Sequence, residues 1–351
     1  MKRIAIVILN WNGRQMLEKY LPSVVAHSSH LATVYIADNA STDDSVDFLR
    51  REYPQLPLIL LDQNYGFAEG YNRALQETKE EFLLLLNSDI EVSEGWLEPM
   101  LVFLDEHPDY AACQPKLRSI FDRSAFEYAG ASGGYIDKWG YPYCRGRIFD
   151  TVERDAGQYD DIVDIHWATG AALMVRRYDF FAVGGLDARF FAHQEEIDFC
   201  WRLRLAGRRL ACIPASVVYH VGGGTLPKSN PMKTFLNFRN NLTMLYKNLP
   251  ADELPSTMRI RLLLDLLAAL QTLLLNRNLA DCKAIIRGRR AYRQWRKDFE
   301  ADRQRIQQNR RISGCEEKHQ HSILWQYYAR GKRHFSQLSE KIIQKNSVKV
   351  L

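Results

Sequence analysis

Four short apolar runs with no polar alternation open this chain: Ile4 to Leu9, Thr33 to Ala37, Leu58 to Leu61 and Phe82 to Leu86. A strand that alternates has one wet face. A strand that does not is covered on both, and in such sheets the cover is helices carried by the crossovers. Helical patterns fill the gaps at Met16 to Ser28, Ser45 to Glu52 and Ala68 to Thr78, with Ser41, Thr42, Asp43 and Asp44 as cap chemistry before the second. The order predicts an α/β fold built on a doubly wound, Rossmann-like sheet, whose ligands gather beyond the carboxyl ends of the strands.

From Arg118 to Ile165 the pattern loosens into Gly- and aromatic-rich sequence, expected as a long surface excursion. Regular structure resumes at His166 to Arg176, and Pro214 to His220 reads as another strand. Past Tyr246 the chain turns helical, and Pro250 and Pro255 bracket an acidic turn. The expected division is 1–232 for the sheet domain and 233–351 for a basic, mainly helical region. Charge follows the same line: Lys and Arg against Asp and Glu number 23 and 32 over Met1 to Met232, a balance of −9, and 24 and 10 after it, a balance of +14. A uniform nucleic-acid binder would not show this split, so no nucleic-acid partner is expected.

The six cysteines (Cys113, Cys144, Cys200, Cys212, Cys282 and Cys315) form no C-x-x-C pair and no zinc spacing, and read as reduced thiols of a cytosolic protein. The apolar run after Lys2 and Arg3 stops at Asn10, too short for a secretory leader. Leu262 to Leu275, broken by Asp265 and Gln271, falls short of the roughly 20 residues of a membrane span.

Candidate chemistry should sit where strands end. After the second strand come Asp38, Asn39, Ala40, Ser41, Thr42 and Asp43, acceptors suited to ribose hydroxyls and base N–H groups, or equally an Asx turn capping the next helix. After the third come Asn64, Tyr65 and Gly66, where backbone could approach a phosphate or simply turn. The fourth empties into Asn87, Ser88 and Asp89, where a carboxylate could hold a divalent cation with diphosphate oxygens and waters completing the shell. Far along the chain, Glu195, Glu196 and Asp198 form a second acidic cluster. Neighbouring carboxylates raise one another's pKa and one could act as general base, although acids in the first turn of a helix and an Asp198–Arg202 pair also account for the pattern. His220, before Gly222, Gly223, Gly224 and Thr225, is a further metal or phosphate ligand candidate, or a structural histidine.

Taken together, IVILNWNG, IADNASTDDS, NYGFAEGYN, LLLLNSD, the ATGAALMVRR to GGLDARFF stretch and QEEIDFCWRLRLAG resemble family 2 glycosyltransferases of the GT-A fold, in the family's order and over roughly the first 225 residues. The closest likeness is to bacterial enzymes of cell-surface polysaccharide synthesis, including a rhamnosyltransferase-like branch. The resemblance implies a mixed GT-A sheet, a nucleoside-diphosphate sugar donor, a glycan or lipid-linked acceptor and Mg2+ or Mn2+ as cofactor. It implies that Asp38 and Asn39 contact the nucleoside, with Asn10, Asn12, Asn64 and Gly66 lining the crevice. Asn87, Ser88 and Asp89 fall on the D-x-D motif, with Asn87 in place of the first acid. Glu195 and Glu196 fall on the family's E-D site, Glu196 being the implied base. Trp167, Thr169 and Gly170 fall on the acceptor floor, with Asp198 beside them. The implied reaction is one inverting displacement with no covalent enzyme intermediate.

Two readings of the tail stand together. Leu262 to Leu275 is apolar round most of a helix, leaving a polar stripe at Arg261, Asp265 and Thr272, and Ile285, Tyr292, Trp295, Phe299 and Ile306 recur at helical spacing among arginines. The helices either pack on one another and on the sheet domain, or meet an anionic membrane surface on its inner, cytoplasmic side, each basic residue adding about 1 kcal/mol. A sugar nucleotidyltransferase would want a Gly-rich phosphate loop after the first strand and a dehydrogenase G-x-G-x-x-G, and Asn10-Trp11-Asn12-Gly13 stands there instead. A non-catalytic nucleotide-sugar-binding protein stays open until turnover is seen.

Overall fold

The computed structural model describes residues 2–222, 230–312 and 319–338. Residues 223, 224 and 225 of the glycine turn after His220, and Cys315, lie outside them.

The first half alternates as its apolar runs require: β1 (Ile4–Asn10), α1 (Arg14–Ser28), β2 (Ala32–Asp38), α2 (Ser45–Glu52), β3 (Leu58–Leu60), α3 (Gly66–Gln76) and β4 (Phe82–Asn87). There follow β5 (Ile90–Val92), α4 (Glu98–Glu106), β6 (Tyr110–Ser119), β11 (Val163–Asp164), β12 (Ala172–Arg176), α5 (Arg177–Ala182), α6 (Glu195–Leu205) and β13 (Arg209–His220). They build a nine-stranded sheet in the order β11-β13-β6-β12-β4-β1-β2-β3, with β5 paired to β13. β12 runs antiparallel to both its neighbours, β4 and β6, so the sheet is mixed.

Both faces are covered, and the residues of one strand divide between two cores. In β4, Leu83 and Leu85 enter one apolar cluster with α3, α6 and the C-terminal helices, while Leu84 and Leu86 enter the other with α1, α2 and α4. A fully buried leucine is worth about 1.5–3 kcal/mol over an exposed one, so continuous apolar strands of this kind fix the register from both sides.

The stretch expected as a surface excursion is instead a second, buried sheet of β7 (Gly134–Ile136), β8 (Pro142–Cys144), β9 (Arg147–Ile148) and β10 (Thr151–Val152), antiparallel in the order β10-β9-β8-β7. Phe126, Tyr135, Tyr143 and Ile148 from this stretch join the main core. Glycines allow the close contact: a Cβ on Gly134 would lie 2.1 Å from the Trp167 ring. The chain end returns to seal it, with His319 stacked on Tyr135 and Phe335 beside Tyr143.

The C-terminal helices are α7 (Pro231–Asn248), α8 (Leu254–Leu274), α9 (Leu279–Trp295) and α10 (Glu300–Gln308). Ile285, Tyr292, Phe299 and Ile306 are buried, which is the packing face their spacing suggested. α8 is turned the opposite way to an ordinary amphipathic helix. Its polar stripe is inside: Arg261 and Asp265 are 2% and 0% exposed, whereas Leu263, Leu266, Leu267, Leu270 and Leu274 are exposed. Asp265 accepts hydrogen bonds from Arg261 Nε at 3.2 Å, from the Tyr141 hydroxyl at 3.1 Å and from Arg289 of α9. Two guanidiniums and a carboxylate that satisfy one another can be buried where a lone one cannot. No helix among the described residues is long and apolar enough to cross a membrane.

Candidate active site

β1, β2, β4, β6 and β13 are mutually parallel, so Asn10, Asp38, Asn87 and His220 all end at one sheet edge. β12 runs the other way and starts at that edge, where the Asn87 N–H donates to Ala171 O at 2.9 Å. Topology alone therefore brings together residues more than 130 positions apart.

At the β1–β2 end the polar groups form a preset frame. Asn10 Nδ2 donates to Asp38 Oδ1 at 3.0 Å and to Ser41 Oγ at 3.1 Å, and Ser41 N–H donates to Asp38 Oδ2 at 2.9 Å, so the Asp38 carboxylate caps the backbone three residues on. Asn12 is exposed, and its side-chain oxygen accepts from Thr42 N at 2.7 Å. Asn39 Nδ2 donates to Asn64 Oδ1 and to Gly66 O, both at 3.0 Å, and Asn64 Oδ1 accepts from Gly66 N at 2.9 Å. Gly66 has φ +73°, and a Cβ there would meet the Phe191 ring at 3.3 Å. The turn thus needs a glycine, and it links the β2 end of the crevice to the loop before α6.

At the end of β4, Asn87 and Ser88 are half-buried and Asp89 is buried. His220 Nε2 stands 3.1 Å from Asp89 Oδ1 and 3.4 Å from Asn87 Nδ2, while its Nδ1 is 3.4 Å from Glu127 Oε2. Burial would lower the His220 pKa, but the two flanking carboxylates outweigh it and push it up to about 10. Burial likewise opposes ionisation of Asp89, and the hydrogen bond and charge of His220 still bring it below the usual carboxylate range. Asp89 offers a carboxylate oxygen that suits Mg2+ or Mn2+ only with further oxygens from elsewhere, whereas His220, held protonated between Asp89 and Glu127, could ligate only after giving up a proton. Among the described residues no three His, Cys, Asp or Glu side chains are arranged as a metal cage.

The acidic pair opens α6. Glu195 is buried and Glu196 only partly so, and Oε2 of each is inaccessible with no hydrogen-bond partner among the described residues. Burial pushes both carboxyls up, Glu195 well above the ordinary range with the Glu196 charge adding to it, and Glu196 to about 7. The two carboxyls titrate as a pair. The loop before it is bent hard: Phe191, His193 and Gln194 have φ of +67°, +68° and +74°. Asn240 of α7 holds it, donating from one Nδ2 to the carbonyls of Phe190, Ala192 and His193 at 3.0, 2.9 and 2.8 Å.

The candidate acceptor residues divide. Gly170 lies against Phe67 and Glu196. Trp167 is buried, its Nε1 donating to Tyr135 O at 3.0 Å, and Thr169 is buried with its N–H on Gln114 Oε1. Asp198 does not face the crevice: it is 0% exposed and accepts from Arg202, Lys247 and Asn248 at 2.9, 2.7 and 2.8 Å, so its place beside an acceptor is corrected to an ionic bolt between α6 and α7. Glu127, beside His220, and Asn240, beneath the loop before α6, also shape the site. Glu127 carries no local signal, whereas the adjacent Asn240 and Asn241 inside a helical pattern were a visible irregularity.

Comparisons with known proteins agree with this geometry. The chain is 25% identical over 232 residues to the N-acetylglucosaminyl-diphospho-decaprenol L-rhamnosyltransferase of Mycobacterium tuberculosis (strain ATCC 25618 / H37Rv), covering 62% of this chain and 75% of that one. It is 29% identical over 226 residues to Rhamnosyltransferase WbbL of Escherichia coli (strain K12), covering 62% and 83%. In fold it matches the mannosyltransferase PcManGT from Pyrobaculum calidifontis in complex with GDP-Man and Mn2+, with TM-score 0.51, 14% identity and coverage of 83% and 86%. GalNAc-T7 with UDP, GalNAc and Mn2+ matches with TM-score 0.54 and 16% identity over 70% of this chain, which spans only 48% of that one. Residues 5–155 match Glycosyl transferase family 2, and the mixed sheet with the crevice at its carboxyl edge has the fold of these GT-A transferases.

Proposed function

We propose that this chain is an inverting glycosyltransferase that moves a sugar from a nucleoside-diphosphate donor to a hydroxyl of a glycan or lipid-linked acceptor in cell-surface polysaccharide synthesis. The observation that carries the reading is the Glu195–Glu196 pair at the start of α6, buried enough to raise both carboxyls and left, among the described residues, with an unpartnered oxygen on each. Asp38 and Asn39 take the nucleoside end, their side chains already fixed by Asn10, Ser41 and Asn64 so that little ordering remains for the ligand to impose. Asp89 would hold a divalent cation, with the Asn87 amide beside it and His220 joining only once it has lost its proton. When bound, that ion would offset charge on the departing diphosphate. Burial holds the Glu195 carboxyl well above the ordinary range, and Glu196 as carboxylate takes the proton of the acceptor hydroxyl. The acceptor oxygen forms its bond to the anomeric carbon as the nucleoside diphosphate leaves from the opposite side. The lipid-linked acceptor is supported by the decaprenol-linked name of the mycobacterial relative.

The test is donor binding. UDP-, dTDP- and GDP-sugars are screened by thermal shift with and without Mn2+, since a ligand at 100 times its Kd stabilises by about 2.7 kcal/mol. Asp89→Ala should abolish the metal-dependent part with the fold intact. Failure of every donor to bind, or a response to donor and chelator that ignores Asp89→Ala, overturns the reading.

A further inference from the structure

We propose that the outward face of α8 is a docking surface for an anionic lipid bilayer. Leu263, Leu266, Leu267, Leu270 and Leu274 recur at helical spacing, and each is between 49% and 62% exposed. No described residue covers them, and Ile286 on the neighbouring α9 is 51% exposed as well. A row of this kind on a soluble surface marks an interaction site rather than a packing accident. It is not a misplaced core face, because the buried Arg261–Asp265–Arg289 cluster locks the opposite side of α8 inward and so holds the leucines out.

Charge selects the occupant. From Leu254 to Trp295 the helical pair carries eight Lys or Arg against two Asp, and Arg259, Arg277, Lys283, Arg287, Arg290 and Arg293 are exposed. A second copy of this chain would bring the same positive excess against itself. An anionic headgroup layer neutralises it while the leucines enter the acyl boundary, the arrangement of an interfacial helix.

The experiment uses the full chain and sedimenting vesicles, one set of phosphatidylethanolamine with about one quarter phosphatidylglycerol and one set of phosphatidylcholine alone. Binding should be confined to the anionic set and should weaken as salt rises from ~0.1 to ~0.5 M, where the screening length contracts. Leu266→Asp with Leu270→Asp, both exposed and so neutral for folding, should weaken partitioning at least ~10-fold, and Arg287→Glu with Arg290→Glu should weaken it on anionic vesicles. Circular dichroism confirms the fold of each variant. Absence of binding overturns the proposal, as does binding that neither pair alters. If the leucine pair instead abolishes a concentration-dependent dimer while vesicles stay unbound, the face belongs to a second copy and the bilayer is excluded. None of these readouts requires turnover, so failure here leaves the glycosyltransferase reading untouched.

Discussion

With Glu196 titrating at about 7, the rate of sugar transfer should carry an acid limb that an ordinary glutamate would not produce. A base must be ionised to accept a proton. For a pKa of about 7 the ionised fraction is roughly three quarters at pH 7.5 and roughly 3% at pH 5.5, so kcat/KM should fall about 25-fold across that interval, whereas a glutamate at about 4.3 would lose less than a tenth. Stability should move in the opposite sense. A carboxyl raised in the folded state contributes stability that is full below its unfolded pKa and is lost as pH rises through the folded one, so this pair favours folding near pH 4.5 and opposes it above 7. The assay is initial release of nucleoside diphosphate at acceptor concentrations below KM, from pH 5.5 to 8. Glu196→Gln keeps shape but cannot take the proton, so turnover should fall about 100- to 10,000-fold and the limb should vanish, with donor binding retained. Glu195→Gln mimics the protonated neighbour and should cost far less. A flat profile between pH 5.5 and 7.5, or near wild-type turnover in Glu196→Gln, refutes the assignment. If Glu195→Gln alone is dead, the base is Glu195 and not Glu196.

Two further outcomes test the frame around the site. Asp265→Ala leaves the buried Arg261 and Arg289 guanidiniums without their carboxylate and should destabilise by about 3–5 kcal/mol in urea unfolding, and a loss under ~1 kcal/mol would show the cluster to be idle. Gly66→Ala puts a side chain at φ +73° against Phe191 and should cost about 1–2 kcal/mol with weaker nucleotide binding by titration calorimetry, and unchanged affinity would detach this turn from the donor crevice.

The sheet was readable because its signal is local. Ile4 to Leu9 and Phe82 to Leu86 are apolar on every residue, and the structure extends each strand by one polar residue, Asn10 and Asn87, at the carboxyl edge of the sheet. The small sheet was not readable, since strands of two or three residues have no period to detect and their glycines look like turns. α8 was half legible. The Arg261 and Asp265 stripe stands out at i,i+4, but which side of it meets solvent depends on Tyr141 and Arg289, far off in the chain. The crevice residues stood out by strand-end placement, yet the same rule could not tell Asp198, sealed among Arg202, Lys247 and Asn248, from an acid facing substrate.

Asn240 has a practical consequence for dissecting this chain. It stands on α7, beyond the segment 5–155 that matches the family, and its one amide tethers three backbone carbonyls, those of Phe190, Ala192 and His193, immediately ahead of Glu195 and Glu196. A fragment ending at residue 232 would retain every carboxylate of the crevice and lose that tether together with the Lys247 and Asn248 grip on Asp198. Its acids would be present but no longer aimed. Grafts or truncations meant to preserve catalysis should therefore be cut after α7, because a loop with three left-handed residues relaxes towards commoner conformations once nothing opposes it.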